Sequence, residues 1–194
     1  MRIAFKEWAV VVDALSRGLQ VVILRKGGIA EGRAGFRPEH ERFWLFQTLF
    51  HQQRESVVPS AQARYDAIAP HFPPIDTLHL EYFAHVVEVR QIDSLATAQR
   101  LRGQHIWRDE VIAERFDWGR DKTIHALVVR IFKLTQPVRL PMLPEYGGCK
   151  SWVTLSTEID TSAAQPVLND AAFDTKLAAA RQTLGVESNL ESAR

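Results

Sequence analysis

The run from Thr123 to Leu134 constrains this chain more than any other. Ile124, Ala126 and Val128 face one way and Leu127, Val129 and Ile131 the other, so both sides of the run are apolar. A strand of that kind needs cover on both faces and usually sits inside its sheet. Pro137, Pro141 and Pro144 then hold residues 136–145 extended, and Tyr146-Gly147-Gly148 turns the chain into a last strand at Lys150 to Leu155. Strand-like runs at 19–26 and 43–50 follow each other without a helix, as do 123–134 and 151–155. The alternating βαβ rhythm of a doubly wound fold is absent. The pattern predicts an α+β fold with a curved mixed or antiparallel sheet, up to a partly closed barrel, with flanking helices.

Residues 3–17 carry Phe5, Trp8, Val12 and Leu15 at helical spacing, ended by Gly18, and predict an N-terminal helix. Further helices are expected from Ser60 to Ala69, from Ser94 to Leu101 and from Asp109 to Arg115. Between them, Asp76 to Ile92 turns to strand, with Val86, Glu88 and Arg90 on one face and Val87 and Val89 on the other. A last helix is expected over 168–184, with Phe173, Leu177 and Leu184 on one stripe. Residues 1–155 are expected to form one domain, and 156–194 an acidic C-terminal extension whose end is disordered.

Charge supports that division. The net charge of +1 conceals a body of about +4 over residues 1–154 and a tail of −3. Of the 24 basic residues, 18 are arginine, whose planar fork suits phosphate and base stacking. No run of about 18 apolar residues exists to span a membrane. Lys6, Glu7 and Asp13 interrupt any secretory leader. The single Cys149 excludes an internal disulfide and makes a cytoplasmic location the expectation.

The best candidate site is Arg25-Lys26-Gly27-Gly28, where two cations end an apolar strand beside two glycines. Such glycines let backbone N–H groups form a concave anion cradle. The spacing of a phosphate-binding P-loop is missing. His51 and Gln52 follow the aromatic strand Phe43 to Phe50. His105 and Trp107, and Lys150 in the Gly147–Trp152 stretch, carry the same mix of cation, glycine and aromatic; Arg130 is a further candidate ligand. These residues predict a module that binds RNA, DNA or a nucleotide. A metal site is not implied, because no HxH or HxxxH spacing occurs, and no cofactor is. A rival reading is a Mg²⁺-dependent phosphodiesterase using Asp76 and Glu88. A third is a protein-interaction domain.

The body resembles a bacterial family defined by a conserved domain of unknown function. Glu7-Trp8-Ala9, Arg25-Lys26-Gly27-Gly28-Ile29, Phe43-Trp44-Leu45-Phe46, His51-Gln52, His105-Ile106-Trp107, Arg115-Phe116, Arg130 and Gly147-Gly148-Cys149-Lys150-Ser151-Trp152 carry the likeness over about residues 4–155. Gln47 stands where that pattern expects proline. A looser likeness, through Val128 to Leu140 and Val86-Val87-Glu88-Val89, is to the PUA-like barrels and their ASCH and EVE relatives. That resemblance implies a partly closed barrel and an RNA or modified-nucleotide ligand.

Overall fold

The both-faced apolar run is indeed an interior strand. The computed structural model describes residues 1–26, 40–50 and 53–185. In it, β5 spans Ile124–Pro141, with β4 (Thr77–Ile92) along one side. Along the other side lie β2 (Val22–Arg25) and the short β7 (Gln165–Pro166). The sheet continues from β4 through β3 (Arg42–Thr48) and β1 (Ile3–Trp8) to β6 (Trp152–Thr154), in the order β2-β5-β4-β3-β1-β6. β1 and β3 run parallel, while the other pairs are antiparallel, so the sheet is mixed. Backbone hydrogen bonds do not close it into a barrel, since β2 and β6 end the path. The fold is the expected α+β type with flanking helices.

The N-terminal helix starts later than the spacing predicts. Ile3–Trp8 is strand, and α1 occupies Ala9–Ser16. The apolar stripe misled because Glu7, on the same side of the strand as Phe5, is a charged residue buried where an apolar one is expected. Val10, Val11 and Val12 are all buried in α1, so packing overrides their weak helix propensity. Gly18 ends α1 with φ +64°, and the Gly18 and Leu19 N–H groups donate back to Leu15 and Ala14.

Helices α2 (Pro59–Ile68), α3 (Leu95–Arg100) and α4 (Asp109–Asp117) lie close to the expected segments. Strand β5 runs on through Pro141 rather than ending at Leu134, paired to β4 as far as Thr77. The alternation expected along 86–90 is broken by a register shift between Val86 and Glu88, which leaves Val87 outside the ladder. α5 covers Asp170–Leu184, capped by the Asn169 side chain on the Ala172 N–H. Phe173, Leu177 and Ala180 join the main core beside Leu15 and Ile131. Lys176 donates to the Leu19 carbonyl, and Arg181 pairs with Glu88. The C-terminal helix therefore docks on its own body, through an apolar stripe and its two cations. The C-terminal end expected to be disordered (186–194) lies outside the described residues.

Two apolar clusters pack on the sheet: along β1 and β3 they lie on opposite faces, while at β2 and the first half of β5 the larger takes residues of both faces. The larger joins Phe5, Ile23, Leu24, Phe43 and Leu127 to the buried sides of α1, α4 and α5. The smaller packs Trp44, Phe46, Leu80 and Phe83 around Tyr146. Full burial of each large side chain contributes about 2–3 kcal/mol.

Candidate anion site at the sheet seam

Although its backbone stays open, the sheet curls until its two ends touch through one side chain. Arg25 is the last residue of β2. Its guanidinium donates to the Ser151 hydroxyl at 3.1 Å and to the Lys6 carbonyl at 3.4 Å. It also lies 4.5 Å from the centre of the Phe5 ring. Ser151 precedes β6 and Lys6 lies in β1, so Arg25 bridges the opposite edges of the sheet.

Glu7 forms the floor of this seam. It is 2 % exposed, accepts from the Trp8 N–H at 2.8 Å and faces the Arg25 guanidinium at 3.8 Å. A second arginine approaches from α4. The Arg115 guanidinium stacks 3.7 Å from the centre of Trp107, lies 5.6 Å from that of Trp8, and donates to the Leu24 carbonyl at 3.3 Å. Trp8 and Trp107 meet edge to face at 4.7 Å. Burial pushes Arg115 down to about 10; Glu7 opposes that shift and Arg25 adds to it. Arg25 thus faces the buried Glu7 carboxylate directly, while Arg115 feels its charge without pairing to it.

The rim adds further cations. Lys6 donates to the Gly148 carbonyl at 2.9 Å. Burial first, and the Lys150 ammonium second, hold Lys6 below the ordinary lysine value. Lys150 is exposed. The seam can hold and orient an anion; its floor is too crowded with paired groups to supply a free base.

The three stretches singled out in the sequence meet here, though not through all the expected residues. Arg25, Trp107 and Lys150 belong to the neighbourhood. Lys26 is near, but its ammonium donates to the Phe116 carbonyl at 3.0 Å and to that of Asp121, which locks the loop after α4. His105 is buried, accepts from the Trp107 N–H at 3.1 Å, and is pushed down to about 4 by burial. It is a neutral structural group and not a phosphate ligand. Arg130 is corrected as well: it pairs with Asp170 and lies over Phe173, under α5. It lies five residues from His125, the β5 partner of Arg25, or about 17 Å along the strand. Gly27, Gly28, His51 and Gln52 lie outside the described residues.

Glu7 and Arg115, the two central charges, were not among the expected site residues. Their signal lay only in the family-like phrases Glu7-Trp8-Ala9 and Arg115-Phe116. The metal-dependent alternative fails on geometry. Asp76 sits in the turn just before β4, and Glu88 lies eleven residues along that strand from Thr77, about 36 Å if it ran straight, far too distant to share one ion. Glu88 is instead paired with Arg181 and Arg90. Among the described residues, no group of three or more His, Cys, Asp or Glu side chains is placed to hold a metal.

The model of the family described as a domain of unknown function, DUF1802, matches residues 4–179. The chain belongs to this family. No curated protein matches it. Solved structures similar to this DUF1802 chain include ASCH from Zymomonas mobilis, with 14 % identity, a TM-score of 0.44, and coverage of 91 % of this chain and 92 % of that one. A tyrosine-to-phenylalanine mutant of the same protein matches at 14 % identity and TM-score 0.42, covering 91 % and 95 %. A serine-to-alanine mutant matches at 15 % and 0.41, covering 91 % and 93 %. The expected family agrees with the family match, which extends past the expected limit near residue 155 to include most of α5. No described helix is long and apolar enough to cross a membrane.

Proposed function

We propose that this DUF1802 chain is a nucleic-acid- or nucleotide-binding module and that its seam takes the phosphate. The observation that carries the reading is the charge imbalance at Glu7. One buried carboxylate faces Arg25, the buried Arg115 lies within reach of its charge, and Lys6 and Lys150 stand at the rim. A phosphate at the mouth, near Lys150 and Ser151, would offset that surplus without disturbing the Glu7 contacts. Arg25 and Lys26 are poor probes of it, because both hold the fold together. Lys6 and Lys150 are better ones.

The test is fluorescence anisotropy of labelled single-stranded RNA and DNA oligonucleotides, titrated at rising salt. Lys6→Ala with Lys150→Ala is expected to weaken binding and flatten the salt slope by about 0.7 per lost phosphate contact. Unchanged binding in that double variant, or no binding of any oligonucleotide at low salt, would overturn the reading.

A further inference from the structure

Two open clefts share a wall formed by Phe72, Pro73, Pro74, Thr77 and His79. One, of about 390 Å³, is apolar, lined by Phe46, Leu49, Phe50 and Met142 with Ile75 at its lip. Ile75 is 94 % exposed and Phe50 58 %, which is a large apolar outlay for a solvent-facing rim. The other, of about 600 Å³, is mixed, with His71, Asp76, His79 and Arg139 among prolines, Phe72 and Leu140. Both volumes are of the size that small ligands fill.

The wall between the clefts is rigid. Pro73 and Pro74 fix their own φ angles. The Thr77 N–H donates to the Pro74 carbonyl at 2.9 Å, and the Met142 N–H to the Asp76 carbonyl at 2.7 Å. These bonds tie the proline segment to the open end of the β4–β5 hairpin. His79 and Arg139 are directly paired across that hairpin. The Asp76 carboxylate already accepts from the Thr77 hydroxyl at 2.9 Å, while Arg139 is exposed. An apolar slot thus opens beside a guanidinium, with His79 lining both halves.

We infer that this double cleft is a second binding site, for a small organic anion with a flat apolar body. The ring would lie in the Phe46–Phe72–Met142 slot and the anionic group on Arg139 and His79. A nucleoside monophosphate and an aromatic carboxylate share that chemistry. The slot backs onto the seam at Phe46, whose ring lies 5.6 Å from the Lys6 ammonium, but the inference does not depend on what the seam binds.

The experiment is a ¹H–¹⁵N NMR titration with adenosine monophosphate in one arm and indole-3-acetate in the other. Adenosine serves as the uncharged control. Amide shifts are expected over 72–79 and 139–142. Arg139→Ala is expected to weaken binding roughly ten-fold, the loss of one charge-assisted contact, and Ile75→Glu to weaken it by repelling the anion at the lip. The tighter arm identifies the source of the anion. Lys150→Ala, at the rim of the seam, should leave the titration unchanged, which separates this site from the proposed phosphate site. The inference is overturned if neither anion shifts these amides at millimolar concentration, if adenosine binds as well as its monophosphate while indole-3-acetate fails, or if Arg139→Ala binds as tightly as the parent.

Discussion

Arg25 donates to Ser151 across the open seam at 3.1 Å, joining positions 126 residues apart at opposite edges of one sheet. A closed barrel would make this join with a ladder of backbone bonds. Here it rests on a side chain, so the join is chemically specific and sits on a buried carboxylate. That arrangement gives the seam both its fragility and its charge.

Glu7 is the residue whose loss the seam should tolerate least. Replacing it with alanine strips Arg25 of its buried counter-charge and removes the negative charge that favours the cationic form of Arg115, which is walled in by Trp8 and Trp107. The expected cost is about 3–5 kcal/mol, read as a lower urea midpoint at constant m-value. Adding Arg25→Ala to Glu7→Ala should cost less than the two single losses combined. Strict additivity would show that the pair is not coupled.

Arg115→Lys tests the flat guanidinium against plain charge. Lysine keeps the cation but loses the stack at 3.7 Å on Trp107 and the fork that reaches the Leu24 carbonyl. A loss of about 1–2 kcal/mol is expected, with a red shift in tryptophan emission as Trp8 and Trp107 loosen. An unchanged spectrum and midpoint would mean that the stack contributes nothing.

His105 should make the fold acid-sensitive. Burial lowers its pKa from 6.5 to about 4, so the unfolded chain takes up this proton more readily than the folded one. The contribution is fully present above pH 6.5 and falls away between pH 6.5 and 4, by up to about 3 kcal/mol. Thermal unfolding across that window should show the decline, and His105→Gln should flatten it. A parent and variant with parallel profiles would remove His105 as the cause.

Two glycines separate backbone strain from crowding. Gly18 has φ +64°, and a Cβ there would stand 2.4 Å from Leu168 Cδ2; Gly103 has φ +83° with nothing within 4 Å. Gly103→Ala should cost about 1–2 kcal/mol through left-handed strain alone. Gly18→Ala should cost more, because Leu168 must also move away. Equal unfolding midpoints for the two variants would show that Leu168 yields freely.

The sequence by itself determined the local elements wherever periodicity was uniform. Thr123–Leu134, apolar on both faces, could only be an interior strand, and the glycine at 18 could only end a helix. Ala-rich 170–184, with Phe173 and Leu177 on one stripe, read correctly as helix for the same reason. It also marked the three stretches that now surround the seam, because each combines cation and aromatic or glycine. What it could not supply was their meeting point. Glu7 broke the alternation of β1 precisely by being a charge on a buried face, and so made a strand look helical. Arg115 stood out only as part of the family-like phrase Arg115-Phe116, with nothing to tie it to Trp107 or Leu24, while Arg130 and Lys26 looked as available as Arg25. Only the curl of the sheet separates them: it carries Arg25 to Ser151 and Glu7, places Arg130 beneath α5, and gives Lys26 to the carbonyls of Phe116 and Asp121. Local pattern depends on residues a few positions apart; which charges become partners depends on closure over more than a hundred, and tertiary packing alone sets that.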